Sequence, residues 1–139
     1  MIRIELAPLD FYGLGSVVSL KGDALPPEEI SGATWVRIAL ENSLYRSLMF
    51  EVDPRLDPKI TAELVNVLAS RISTVLAQVE GAPIGISPPK VLDADQELKD
   101  SLQRTVRNLR DDAVRFEFRS AERSLPIAVY FILNEVGHV

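Results

Sequence analysis

The sequence predicts an α+β domain in which amphipathic helices pack on a mainly antiparallel sheet. Three observations support this class: short segments that alternate apolar and polar residues, a long segment with helical periodicity, and two strand-like segments joined by a polar turn near the end of the chain. At 139 residues, with 47% hydrophobic and 25% charged residues, the chain is predicted to form a single domain over residues 1–139. The predicted order is β-β-β-α-α-β-α-β-β.

The first three predicted elements are strands. Apolar and charged residues alternate over 2–6, and a proline at position 8 ends this segment. Residues 15–21 form the second predicted strand. A proline-rich segment, 24–32, is predicted to be a loop that leads to the third strand at 34–38.

A short amphipathic helix is predicted next, over residues 40–49. Leu40, Leu44 and Leu48 recur at every fourth position, a spacing that is typical of one helix face. Asp53-Pro54 is predicted to end this helix.

The clearest predicted element is a helix over residues 57–80. Asp57 is a favourable N-cap, Pro58 suits the first helical position, and Gly81 provides the stop. At 100° per residue, the apolar side chains form one stripe that is predicted to face the core. This stripe consists of Leu64, Leu68, Ile72, Val75, Leu76 and Val79.

The last elements complete the predicted sheet. Residues 84–92 are strand-like but contain two prolines, which predicts an edge or bulged strand. Another amphipathic helix is predicted over about 95–110. Residues 114–119 and 126–133 then predict an antiparallel hairpin in the middle of the sheet.

Composition and motifs exclude several kinds of function. The net charge of −5 argues against a nucleic-acid surface, and the chain contains no cysteine for thiol chemistry. One histidine, His138, is too little for a histidine-based metal site or a catalytic triad, and no phosphate-binding motif is present. No signal peptide or apolar run long enough to span a bilayer is found, so a cytoplasmic protein without membrane contact is expected.

The solvent side of the 57–80 helix is the predicted working surface. It carries Glu63 and Asn66 one turn apart, followed by the small residues Ser70 and Ser73. An amide can hold a water molecule, a carboxylate can pair with a cation, and small side chains allow another protein to approach closely. A plain solvated helix face is the alternative reading of the same pattern.

The spacing of these residues resembles that of a known family. Glu63-x2-Asn66 is followed by twenty-two residues and then Pro89, which is similar to the E-x2-N-x22-P core of the CheC/CheX/FliY chemotaxis phosphatases. The surrounding segments AELVNVLAS and ISPPKVL also resemble that family, as do the strands on either side. The likeness spans about residues 15–133, and the single E-x2-N pair is similar to the CheX arrangement.

The resemblance implies a CheX-like/CheC-like fold and a phosphatase that acts on a phosphorylated CheY-like receiver domain. It implies that Asn66 aligns the attacking water and that Glu63 engages a lysine of the receiver, with Lys59, Ser70 and Ser73 at the contact. The receiver is expected to bring the magnesium, so the chain needs no cofactor of its own. A homodimer that pairs through its sheet is also implied.

The sequence departs from the family pattern at several positions. Lys59 stands where the family usually has Asp or Ser, and Ser70 replaces the usual Gly. The first predicted element is a strand, so the helix with which CheX-type chains normally begin is not expected here, and a helix is predicted at 95–110 where relatives mostly have a loop. Two alternatives to a phosphatase are therefore a non-catalytic binding or scaffold module of the same fold and a small-molecule sensor domain, which would require a deep apolar pocket.

Overall fold

The structure is a computed structural model that describes residues 4–20, 30–92, 100 and 104–134. Its helix α1 is Pro58–Glu80, and a 3₁₀ turn covers Arg110–Asp112. Residues 100 and 104–107 are also helical. The strands are β1 Leu9–Phe11, β2 Gly15–Ser19, β3 Thr34–Glu41, β4 Tyr45–Val52, β5 Gly85–Ile86, β6 Lys90–Val91, β7 Val114–Arg119 and β8 Ser124–Leu133.

The strands form one antiparallel sheet. The order is β1-β2-β7-β8-β4-β3-β5, and β6 also pairs with β3. The long strands β4 and β8 lie next to each other at the centre, from the pair Val52 and Ile127 at one end to Tyr45 and Leu133 at the other. The predicted α+β class and the closing β7–β8 hairpin are confirmed.

Helix α1 has the ends that the sequence predicts. The Asp57 side chain accepts a hydrogen bond from the Lys59 backbone N–H at 2.9 Å. At the other end, Gly81 adopts the left-handed conformation (φ 78°), and its N–H donates to the Ala77 carbonyl at 2.8 Å. The helix is therefore fixed at both termini by local hydrogen bonds.

The apolar stripe of α1 packs on one face of the sheet, called the inner face here. Leu64, Leu68 and Ile72 are fully buried there against residues of β3, β4 and β8. Val79 does not fit the prediction, because it is 79% exposed in the last turn of the helix. By length and composition alone α1 could cross a membrane, but a core helix passes the same test, so this leaves the location of the protein open.

The opposite, outer face of the sheet carries a second and smaller core. Trp35, Met49 and Tyr130 point to this side and pack with Leu92 and Val106. The helical residues 104–107 and the following 3₁₀ turn therefore cover part of the outer face. This segment agrees with the described part of the helix predicted over 95–110; residues 93–99 and 101–103 lie outside the described residues.

The helix predicted over 40–49 is wrong. Residues 45–52 form the central strand β4, and Leu44 lies in the β3–β4 turn with 64% of its surface exposed. Because four is a multiple of the strand period as well as close to the helix period, Leu40 and Leu48 also fit a sheet face. Both faces of β4 are buried, so the alternation that signals a strand is missing.

The first predicted strand is also misplaced. The structure has β1 at Leu9–Phe11, whereas residues 4–8 are not in a strand. Ile4 is nevertheless buried in the inner core, and the Leu6 N–H donates to Ser19 Oγ at 3.0 Å. The segment thus follows the sheet edge without the regular hydrogen bonds of a strand. Residues 1–3 lie outside the described residues.

The other edge of the sheet is irregular, as the two prolines predict. Between β5 and β6, the Ser87 N–H donates to the Ala39 carbonyl at 3.0 Å, and Ser87 Oγ accepts from the Ala39 N–H at 2.8 Å. A side-chain hydroxyl here replaces a backbone carbonyl in the pairing with β3. Pro88 and Pro89 follow directly and have no N–H to donate.

Candidate functional site

The exposed side of α1 brings most of the predicted site residues together. Lys59, Glu63, Asn66 and Ser70 are all exposed. Their spacing of four, three and four residues places them within about 60° of one another around the helix axis. They form one row along the helix, called the α1 face here.

Glu63 and Asn66 are neighbours on this face, and their side chains make no hydrogen bond or ion pair with the described residues. Side chains three residues apart on a helix lie about 5–6 Å from each other at Cβ. Both groups are therefore available to water or to another molecule.

Ser73 does not lie on the α1 face. It is 7% exposed, and its hydroxyl donates to the Ser70 carbonyl at 2.8 Å. Thr74 Oγ1 donates to the same carbonyl at 3.0 Å. The prediction that Ser73 lies on the solvent side is therefore wrong, because the position falls at the border of the arc that packs on the sheet.

Pro89 belongs to a different part of the structure from Glu63 and Asn66. It lies in the connection between β5 and β6, at the β3 edge of the sheet. The structure therefore distributes the three residues of the motif over α1 and one sheet edge.

A buried polar cluster on the outer face was not predicted from the sequence. The Tyr130 hydroxyl donates to Glu51 Oε1 at 2.9 Å, and Arg110 Nη2 approaches Glu51 Oε2 at 3.5 Å. Glu51 is 1% exposed and Tyr130 is fully buried. The Arg110 guanidinium also lies 5.8 Å from the centre of the Tyr130 ring.

Through the contacts of Arg110 with Glu51 and Tyr130, this cluster links residues 104–112 to the sheet. Burial, with the neighbouring Glu51 carboxylate, raises the pKa of Tyr130 well above its ordinary value, so the phenol stays protonated and donates its hydrogen bond. A single acid inside the apolar run of β4 was the signal in the sequence. Such an acid requires a partner when it is buried, which points to a donor on a neighbouring strand.

A cavity of about 460 Å³ opens on the same outer face, beside the cluster. The charged residues that line it are Asp53, Arg55 and Arg115. The remaining lining residues are Leu20, Ile30, Ser31, Pro54, Phe116, Pro126 and Ile127. The sequence predicted a strand around Arg115 but not this cavity.

The described residues contain no group of three His, Asp or Glu side chains that could hold a metal ion. The absence of a cofactor remains a prediction.

Comparison with protein-family models, with curated proteins and with solved structures gives no match to this chain. The likeness to the CheC/CheX/FliY family accordingly rests on the residues of the sequence alone.

Proposed function

We propose that this protein is a CheX-like phosphatase that hydrolyses the aspartyl phosphate of a CheY-like receiver domain. One observation carries the proposal: Glu63 and Asn66 are exposed one turn apart, and neither has a partner among the described residues. Ser70 follows on the same face with a small side chain. A receiver can thus come close to the two groups that the chemistry needs.

In the proposed reaction Asn66 positions the attacking water. Its carbonyl oxygen accepts a hydrogen bond from the water, which then attacks phosphorus as the bond to the aspartyl oxygen breaks. The products are a free carboxylate and inorganic phosphate. Alignment of the water can by itself accelerate hydrolysis strongly, because the attacking and leaving oxygens must be in line.

Glu63 is proposed to hold the partner. Its carboxylate pairs with a lysine of the receiver, and the receiver supplies the magnesium that offsets the phosphate charge. Lys59 lies one turn before Glu63 on the same face and adds a positive charge to the contact. Ser73 is not proposed to contact the receiver, since it is buried and its hydroxyl donates to the Ser70 carbonyl.

A receiver loaded with acetyl phosphate and then freed of excess donor tests the hydrolysis. We expect phosphate release to be faster with the protein than without it, and Asn66→Ala to lower this rate by about 100-fold because the water is no longer aligned. Gln78→Ala is the matched control, because it removes an exposed amide from the same helix outside the α1 face. Decay at the spontaneous rate, or equal rates for the two variants, would refute catalysis.

The second candidate is a module of the same fold that binds a receiver without hydrolysing its phosphate. One observation favours it: no described residue holds the Asn66 amide in a fixed orientation, whereas catalytic groups are commonly oriented by neighbouring hydrogen bonds. A receiver carrying beryllofluoride, a stable mimic of the phosphoryl group, separates the candidates. Binding that Asn66→Ala leaves intact, together with spontaneous decay of the true phosphate, would support the module.

We also propose a cytoplasmic location and a homodimer that pairs through the sheet, with no contact to nucleic acid or membrane. These proposals come from the composition of the chain and from its resemblance to CheX. Sedimentation velocity tests the dimer, and a monomer at all concentrations would remove it.

A further inference from the structure

The outer face of the sheet holds a positive charge that the described residues do not balance. The regular alternation of side chains places Leu20, Arg115, Pro126 and Asp53 on this face, opposite α1. The Leu20 N–H donates to the Arg115 carbonyl at 2.9 Å, and the Asp53 N–H donates to the Pro126 carbonyl at 3.3 Å. These bonds carry the sheet pairing to both sides of the cavity.

The acidic groups near the cavity are already engaged. Asp53 Oδ1 accepts from the Arg55 backbone N–H at 2.9 Å and from Arg55 Nε at 3.0 Å, while Oδ2 accepts from Arg55 Nη2 at 2.8 Å. These hydrogen bonds hold the pKa of Asp53 below its ordinary value. The Glu51 carboxylate is shared by Tyr130 and Arg110. Each of the four carboxylate oxygens of these two acids therefore already has a partner.

Arg115 is a buried cation that has no counterion among the described residues. It is 7% exposed, and its Nη2 makes a long hydrogen bond of 3.4 Å to the Arg110 carbonyl. No carboxylate of the described residues lies within ion-pair distance of its guanidinium. A buried cation without an anion is costly, whereas the planar guanidinium is well suited to a carboxylate or a phosphate.

We infer that this cavity is a binding site for a small organic anion with an apolar body, whose charged group contacts Arg115. The apolar body fits the side chains of Leu20, Ile30, Pro54 and Pro126 at the cavity, whereas Phe116 and Ile127 border it from strand positions whose side chains lie in the inner core. The Ser31 side chain at the cavity offers a further hydroxyl group. The site lies on the side of the sheet away from the α1 face and does not depend on the function proposed for that face.

Hexanoate is the probe for the test, since it joins a carboxylate to a short apolar chain. Hexan-1-ol keeps the chain without the charge, and acetate keeps the charge without the chain. In a titration followed by backbone amide chemical shifts, we expect hexanoate to move the signals of Leu20, Ser31 and Phe116. The signals of Glu63 and Asn66 should stay in place.

Two variants of strand β7 distinguish a specific site from general attraction to positive charge. Arg115→Gln should weaken hexanoate binding at least about tenfold, because a charge-assisted contact is lost. Arg119→Gln is the matched control: it removes the same charge four residues further along the strand, where the side chain is 55% exposed and paired with Glu117. This control should bind hexanoate as the parent does.

Ser31→Phe gives a second and independent variant, because it places a ring at the cavity and leaves Arg115 intact. It should also weaken hexanoate binding, and because Ser31 is exposed it should leave the fold unchanged. The inference is overturned if hexanoate moves none of the cavity signals, if Arg115→Gln and Arg119→Gln bind it equally, or if acetate or hexan-1-ol binds as tightly as hexanoate.

Discussion

Replacing Tyr130 by phenylalanine tests the buried cluster that joins the segment 104–112 to the sheet. The substitution keeps the ring beside Trp35, whose centre is 5.9 Å away, and removes only the hydroxyl that donates to Glu51. Glu51 Oε1 then loses this donor at a position that is 1% exposed. An acceptor left unsatisfied in a buried site costs about 1–3 kcal/mol, so the free energy of unfolding should fall by that amount.

Tyr12→Phe is the matched control for this change. Tyr12 is 75% exposed at the tip of the β1–β2 hairpin, and its loss of a hydroxyl should change the free energy of unfolding by less than about 0.5 kcal/mol. Urea unfolding followed by far-ultraviolet circular dichroism measures both variants without relying on the fluorescence of Trp35. If Tyr130→Phe is as stable as Tyr12→Phe, the hydrogen bond to Glu51 does not hold the cluster together.

The same hydroxyl predicts how stability depends on alkaline pH. The pKa of Tyr130 is raised above its ordinary value of 10.0, so the folded protein keeps this proton at a pH where the unfolded chain loses it. The contribution of Tyr130 to the free energy of unfolding is therefore fully present below pH 10. Above that pH the free energy of unfolding declines by up to about 1.4 kcal/mol per pH unit. Burial also raises the pKa of Tyr45, which adds a decline of the same sign. Tyr130→Phe should therefore decline less steeply than the parent, and an identical slope would contradict the raised pKa.

Three further predictions concern α1 and the segment between β4 and α1. Asp57→Ala removes the N-cap and should lower the free energy of unfolding by about 1 kcal/mol, whereas Asp112→Ala, at an exposed position, should have little effect in the same urea assay. Ile72→Ala should destabilise by about 2–5 kcal/mol because its site is fully buried, while Val79→Ala should stay within about 0.5 kcal/mol; equal losses would show that Val79 is packed. Hydrogen bonds from Arg55 lower the pKa of Asp53 below its ordinary 3.8, so stability is present above that pH and is lost on further acidification, and thermal unfolding of Asp53→Asn should show a weaker acid dependence.

Local signals predicted α1 because they agree with each other. Asp57, Pro58 and Gly81 mark its ends, and the apolar spacing between them fits only a helix. The prediction failed where a position depends on what lies around it. Val79 belongs to the apolar stripe but is exposed in the last turn, and Ser73 belongs to the polar side but is covered. Helical periodicity predicts in which direction around the helix axis a side chain points. It does not predict how much of the helix the sheet covers.

The central strand β4 could not be recognised for a related reason. Both of its faces are buried because each face of the sheet has its own core, and Met49 between Leu48 and Phe50 interrupts the alternation that Ser47 and Glu51 would otherwise give. The candidate sites likewise differ in how far local sequence predicts them. The row from Lys59 to Ser70 follows from helical spacing alone, whereas the cavity at Arg115 depends on the pairing of β7 with β8 and on the segment after β4. No local pattern contains that information.

The edge between β5 and β6 has a consequence for how copies of the protein can meet. Ser87 fills a ladder position with its side chain, and Pro88 and Pro89 offer no N–H to an incoming strand. A strand of a second chain therefore cannot form regular backbone hydrogen bonds along this edge. Edge-to-edge association into fibrils is disfavoured there for the same reason. The opposite edge strand, β1, is three residues long, too short for a stable register with another chain. Regular strand pairing between copies is thus disfavoured at both of the sheet edges that the structure describes.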